Sequence, residues 1–447
     1  MRRESNENDG EAQSGAGAES KKLRSIWVRF GGRRLLIAGG VLLGSLLAVG
    51  LYLWPLGMPA GHEYFRPVGE RSLQSDEEGQ WNYVQHLYRH MEATGDTFPD
   101  WDAGMMSRWK YAIAFLAYGM PSLALIEPEK KELATYYLYI MINKMKSKKV
   151  WREWQDYGFG EDPICLHNVM YKGHLNLMYG LYQFMSGDER FAKEFTWLTR
   201  QIVAEIDLHS KKGLYEGSNC EPDQYFVQCN AISLLSLHLY DRLYGTDYTG
   251  DHVQRVLGFI RRRMTDPKTG LYWHQYHPSH DVVETSLSGY TNAWSMVMLN
   301  YFEPEYNARV YPAWKDVFVV ELGPYAYVKE EPGGGASQLA TAYGMLAAKE
   351  FGDVELFTKL RNSMDRFGGL SRVAENDSMA YTAGDNTIAN GMLLAFKLHV
   401  GWERILESGG GPKRLARIPA VENMVWTDLL PDEIHESYIP PTPIQNF

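Results

Sequence analysis

A chain of 447 residues, 45% hydrophobic and 13% aromatic, has enough apolar side chain for a large core, in one domain or as many as three. Its formal charge of −10, with no basic stripe interleaved with aromatics in the body, argues against nucleic acid as a partner. No CxxC, HExxH, GxGxxG or P-loop pattern occurs and the 13 histidines are scattered, so metal and nucleotide sites gain no support and no cofactor is expected.

Residues 1–34 open the chain. The first twenty or so are Glu, Ser, Asn, Gly and Ala with almost nothing to bury, which predicts a disordered tail. Lys21, Lys22, Arg24, Arg29, Arg33 and Arg34 then follow without an intervening acid. Leu35 to Trp54 runs 20 residues without a charge, enough to cross a hydrocarbon core of roughly 30 Å. The basic cluster predicts a cytoplasmic N-terminus, with everything after Pro55 periplasmic or otherwise outside the cell membrane. A cleaved signal peptide, or twin-arginine export through Arg33-Arg34, is the rival, and it leaves the body on the same side.

From Trp81 the apolar spacing is helical nearly everywhere, with little sustained strand alternation. Short turns recur at Glu127-Pro128-Glu129, Ser186-Gly187-Asp188, Gly245-Thr246-Asp247, Glu303-Pro304-Glu305 and Gly352-Asp353. From Pro128 to Gly187 is 59 residues, then 58 to Gly245, 59 to Pro304 and 48 to Gly352. A period of this kind means a repeated unit, here two helices joined by a tight turn. The other helix ends meet through long connections at 148–167, 208–223, 266–288, 323–335 and 366–385, and such loops are usually functional. If the short turns share one face, about six hairpins over residues 60–447 close into an all-α (α/α)6 toroid. Helices leaving the long loops would then form the inner ring, their positive N-terminal ends converging on a central cavity. An open solenoid is the alternative, but no polar capping repeat is visible.

The stretch from Met170 to Cys229 carries the chemistry. It opens on Met170-Tyr171-Lys172-Gly173-His174 and closes on Cys220-Glu221-Pro222-Asp223-Gln224-Tyr225-Phe226-Val227-Gln228-Cys229, with two of the three cysteines. Pro222 suits a first helical turn, which would put Cys220 at the cap and Cys229 about two turns in. Thiols there gain thiolate character from the helix dipole; a disulfide, or two buried small hydrophobes, are the other readings. His274, His277 and His280 lie close together, in a loop where such a group is more often solvated.

Long strings in this chain resemble the linalool dehydratase/isomerase family. They are Lys110-Tyr111-Ala112-Ile113-Ala114-Phe115, Met170 through Gly180, the Cys220–Cys229 decapeptide, Tyr240-Asp241-Arg242-Leu243 with Gly245-Thr246-Asp247-Tyr248, and Tyr276-His277-Pro278. The resemblance implies an exported (α/α)6 barrel in a ring-shaped homo-oligomer. It also implies cofactor-free loss of water from small allylic alcohols, or migration of their hydroxyl. It assigns catalytic roles to Cys220, Cys229, His174, Tyr111 and Tyr290, and substrate lining to Met170. Tyr225, Phe226 and Met178 are expected as further apolar wall, with Glu221 beside them. The family's hydroxyl-protonating aspartate, on the first body helix, aligns with Gln85, an amide that cannot polarise a tyrosine as a carboxylate does. His90, Asp100 and Asp102 are the nearest acids to replace it. A carbohydrate-active (α/α)6 enzyme using Glu221 and Asp223, and a non-catalytic ligand-binding homologue, are the competing readings.

Overall fold

In the computed structural model, which describes residues 44, 59–94, 109–373, 377–381, 387–408 and 415–430, the apolar runs become paired helices. The principal ones are α1 (Ser75–Thr94), α2 (Trp109–Ile126), α3 (Lys131–Met145), α4 (Val169–Ser186), α5 (Ala192–Lys211) and α6 (Val227–Tyr244). They continue with α7 (Gln254–Arg263), α8 (Gly289–Leu299), α9 (Pro304–Phe318), α10 (Gln338–Glu350), α11 (Val354–Phe367) and α12 (Thr387–Leu398). The chain divides into two compact units, Met1–Gly57 and Met58–Phe447. The expected span at 35–54 lies, apart from Gly44, outside the described residues, as does the tail before it. Among the described residues no helix is long and apolar enough to cross a membrane.

Composition decides which helices go inside. After Lys110, α2 has no charged residue, and α6 has none before Asp241; such helices are apolar on every side and must be buried on every side. The even-numbered helices therefore form an inner ring: α2 packs on α4, α4 on α6, α6 on α8, α8 on α10, α10 on α12, and α12 returns to α2. Amphipathic α3, α5, α9 and α11 each pack outside the inner helix that precedes them, while α7 reaches α6 through its leading turn Thr249–Val253. The sixth outer place falls to α1, which packs on α12.

Local signals set the alternation of short and long connections. Gly187 and Gly245 end α4 and α6 in the left-handed conformation, at φ 70° and 71°, a position that costs glycine no Cβ clash. At the other ends, side chains of Asn168, Ser288 and Ser337 accept hydrogen bonds from the backbone N–H groups of Tyr171, Thr291 and Ala340, capping α4, α8 and α10.

The long connections differ from expectation in one respect, since they carry antiparallel strands. β1 (Gln275–His277) pairs with β2 (Val282–Glu284), β3 (Val319–Leu322) with β4 (Tyr325–Lys329), β4 with β5 (Ala336–Ser337), and β6 (Leu370–Val373) with β7 (Ser378–Tyr381). Strands of two to five residues are too short for an alternating pattern to rise above the helical background.

The seam between the first and last inner helices is tight. A Cβ on Gly119 of α2 would lie 2.9 Å from the Cα of Ala395 on α12, a backbone atom that cannot turn away. Gly119→Val is expected to lower stability by about 1–3 kcal/mol, the usual cost of overpacking, seen as a lower urea midpoint with an unchanged slope.

Candidate active site

The first turns of α2, α4, α6, α8 and α10 and the second turn of α12 border one cavity of about 650 Å³. Tyr111 from α2, Met170 from α4, Tyr290 and Trp294 from α8, Tyr343 from α10 and Met392 from α12 form much of its wall. Phe226, the N-cap residue of α6, completes the ring. The 148–167 connection adds Glu153, Trp154, Tyr157 and Phe159, and Glu221 and His274 come from two others. The expected convergence of helix N-termini on a cavity is thus observed, and Tyr111, Met170, Glu221, Phe226 and Tyr290 stand on its wall.

His174 lies one layer deeper. Its ring is wholly buried, edge-on to Tyr111 at 5.7 Å between centroids, and it is not part of the wall. Burial, helped by Lys110, lowers its pKa to about 3, so the imidazole is neutral. Burial also pushes the Tyr118 phenol well above its ordinary value, so Tyr118 keeps its proton and donates it to His174 Nδ1 at 2.6 Å. This assigns the imidazole proton to Nε2, an atom with no partner among the described residues. A neutral histidine committed to a tyrosine holds the back of Tyr111 in place. It stands behind the wall rather than on it, although the resemblance implies a catalytic role for it.

The cysteines depart further from expectation. Cys220 and Cys229 are joined in a disulfide, with Cα atoms 6.3 Å apart, so neither offers a thiol in this structure. Both are completely buried behind the wall, with Cys229 Sγ 4.0 Å from Met170 Sδ. The reason is local. Pro222 does not open a helix; with Asp223, at φ 61°, it makes a tight turn in which Cys220 N–H donates to Gln224 O at 2.7 Å. The helix begins only at Val227, and Cys229 sits in its first turn opposite Cys220. Behind this turn, Lys172 donates to Glu205 Oε2 at 2.5 Å, and Glu205 Oε1 accepts from Asn219 N–H at 3.2 Å. Burial pushes the Glu205 carboxyl up to about 7 against the pull of Lys172.

Three other expectations are corrected. Tyr225 is not wall; its buried ring packs against Phe259 and Tyr215 at 5.3 and 5.8 Å. Met178, wholly buried within α4, is not wall either. Asp223 bonds the backbone N–H of Ser279 at 2.6 Å and leaves the cavity to Glu221. Gln85, whose counterpart in the family is expected to act across a subunit boundary, lies on α1 with Nε2 3.4 Å from Asn82 Oδ1 and does not line this chain's own cavity. The side chain of His90, and Asp100 and Asp102, lie outside the described residues.

Two lining charges were not expected. Lys110 Nζ lies 3.2 Å from Glu153 Oε2, both largely buried. Burial pushes the carboxyls of Glu153 and Glu221 above the ordinary value, while Lys110 pulls both down. The Tyr111 phenol is pushed well up, first by burial and then by Glu221. A signal for Lys110 was available in the sequence. It is a lone cation in the first turn of an apolar helix, where the dipole disfavours it unless an acid stands nearby.

A family model described as linalool dehydratase/isomerase matches residues 110–387. Among solved structures, the chain is similar to a glycoside hydrolase from family 105 of C. acetobutylicum ATCC 824, at 14% identity and TM-score 0.45, over 71% of this chain and 99% of that one. It is also similar to an inactive variant of the α-1,6-mannanase GH76A of Salegentibacter sp. HEL1_6 in complex with α-1,6-mannotriose, at 11% identity and TM-score 0.47, over 72% and 98%. An unsaturated glucuronyl hydrolase from Bacillus sp. GL1 matches at 12% identity and TM-score 0.42, over 67% and 86%.

Proposed function

This chain belongs to the linalool dehydratase/isomerase family, and from that premise we propose that it removes or relocates the hydroxyl of an allylic alcohol by acid–base chemistry. The observation that carries the reading is the cavity itself. Aromatic and methionine side chains make most of its wall, and titratable groups gather at Lys110, Tyr111, Glu153 and Glu221. An apolar wall holds the hydrocarbon and excludes water, so a hydroxyl brought to the polar corner meets undiluted acid and hydrogen-bond donors. Tyr111 and Tyr290 are the phenols placed to hold that hydroxyl. The same reading keeps the body outside the cytoplasm, tethered through residues 35–54 and assembled with further copies of itself. The Cys220–Cys229 disulfide supports an oxidising compartment.

Cavity size bears on the substrate. At roughly 30 Å³ per heavy atom, the share a molecule takes in liquid water, a ten-carbon alcohol fills about 330 Å³ and a fifteen-carbon one about 480 Å³. Against a cavity of about 650 Å³, the shorter alcohol leaves half the space open. Incubation of the purified protein with ten-, fifteen- and twenty-carbon tertiary and primary allylic alcohols, read by gas chromatography, tests the proposal. Diene or transposed alcohol is expected, with kcat/KM at least about tenfold higher for fifteen carbons than for ten, since each buried methylene is worth about 0.8 kcal/mol. No turnover of any allylic alcohol would sink it.

A glycoside-cleaving enzyme is the second reading, favoured by the two carboxyls, Glu153 and Glu221, on one cavity wall. It is weakened by the commitment of Glu153 to Lys110. Release of aryl alcohol from a panel of aryl glycosides, with no diene from the alcohols, would select it.

A further inference from the structure

We infer that Glu221 is the acid that protonates the departing hydroxyl, and that its carboxylate then takes the proton from the adjacent carbon. The inference rests on the functional reading above and supplies the proton that Gln85 cannot.

Three features of Glu221 carry it. Its backbone is pinned: Cys220 N–H donates to Gln224 O at 2.7 Å, Gln224 N–H donates to Glu221 O at 3.0 Å, and Cys220 is tied to Cys229. Its side chain faces the cavity and has no hydrogen bond or ion pair among the described residues. Its charged neighbours come from separate elements, Lys110 on α2 and Glu153 on the 148–167 connection, and these two are spent on each other at 3.2 Å. His274, from the connection before α8, and Tyr111 also border the same cavity.

The alternatives at the wall are worse acids. Glu153 is committed to the Lys110 ammonium at 3.2 Å, so its carboxyl is already engaged when a substrate hydroxyl arrives. Tyr111 is pushed so far above its ordinary value that it can orient a hydroxyl but not ionise for it. Burial instead pushes the Glu221 carboxyl above the ordinary glutamate value, with Lys110 acting against it. The cavity then holds, beside a closed ion pair, a carboxyl whose charged form burial disfavours, which suits an uncharged alcohol.

The step balances. The Glu221 carboxylic acid gives its proton to the hydroxyl oxygen, the C–O bond breaks, and water leaves with the bonding electron pair. An allylic cation remains beside the new carboxylate, which Lys110 stabilises. The carboxylate removes a proton from the neighbouring carbon, the C–H pair becomes the second double bond, and Glu221 is an acid again. If water instead adds at the other allylic end, its surplus proton returns to the same carboxylate, and the product is the transposed alcohol.

The test compares wild type with the isosteric Glu221→Gln and with Glu221→Asp, after a thermal melt shows each folded. Glu221→Gln is expected to lose about 100-fold or more in kcat while KM changes less than about threefold, and Glu221→Asp to recover part. In wild type kcat should fall as pH rises through the ionisation of Glu221. Glu153→Gln should move that limb to lower pH, because it removes a negative neighbour and frees Lys110 to favour the carboxylate. Retention of more than a third of kcat in Glu221→Gln, or a rise in KM alone, overturns the assignment. A wild type inert on every alcohol sinks the functional reading instead. In that case infrared difference titration, wild type against Glu221→Gln, still judges this residue. A carboxylic acid ionising above the usual glutamate range supports the assignment, and its absence overturns it.

Discussion

Lys397→Met is expected to lower the unfolding free energy by about 3–5 kcal/mol, the usual cost of stripping one partner from a buried ion pair. Lys397, on α12, is wholly buried and donates to Asp76 Oδ2 of α1 at 2.7 Å and to Asp365 Oδ1 of α11 at 2.9 Å. Tyr64 donates to the other oxygen of Asp76 at 2.5 Å, and Tyr381 donates to Asp365. Methionine fills the volume but leaves buried Asp76 without its ion-pair partner and Asp365 with only Arg361, 3.7 Å away. Burial alone would push Asp76 up, yet Lys397 holds it below the ordinary aspartate value. That contribution is present above the unfolded pKa and is lost as pH falls through the lower folded one. Burial alone would depress Lys397, yet Asp365 and Asp76 hold it above the lysine range, so its share is full below the unfolded pKa and lost as pH rises through the folded one. With a domain stability of about 5–15 kcal/mol, the variant stands near the edge of folding. Denaturant titration at pH 7 measures the loss. A change under about 1 kcal/mol would mean that water, not lysine, satisfies these carboxylates. Asp76→Asn in the Lys397→Met background should recover part of the loss.

The second large effect belongs to the disulfide. Cys220→Ser with Cys229→Ser is expected to cost about 2–3 kcal/mol, the chain-entropy value for so short a loop, and to change kcat less than about threefold once the protein is folded. Dithiothreitol should lower the melting temperature of wild type to that of the double variant and leave the variant itself unmoved. This separates two chemistries sharply. If thiols carried the proton, reductant would switch activity on and the double variant would be dead. If the bridge only holds the Glu221 turn, reductant costs stability and little rate.

Much of this was readable before the structure. Gly187 and Gly245 announce the short turns, and the uncharged runs of α2 and α6 announce an inner ring. Tyr111, Met170 and Tyr290 stand on the wall where their helix starts put them, and Phe226 joins them at the cap of α6. The misses have physical causes. Whether Cys220 and Cys229 meet depends on the left-handed conformation of Asp223, which the sequence permits but does not require. The neutral state of His174 depends on Tyr118, 56 residues earlier in the chain. Tyr225 is expected as wall beside Phe226, but successive residues in an extended segment point to opposite sides, and only Phe226 faces the cavity. Glu153 sits in a connection identified as functional by its length, yet no local pattern singled it out.

The ring seam has a consequence for how this protein is made. Asp76 and Lys397, which join the sixth outer helix to the sixth inner one, are 321 residues apart. Gly119 of α2 meets Ala395 across the same junction. A growing chain can form its hairpins one at a time from local contacts, but a partial ring leaves apolar helix faces open until the last inner helix is synthesised. Contacts between the two ends of a long chain are slow to form, because their loop-closure entropy must be met before they contribute anything. The nascent chain is thus expected to expose those faces throughout its translation, and a chain terminated before α12 would have most residues of the cavity wall without the helix that closes the ring.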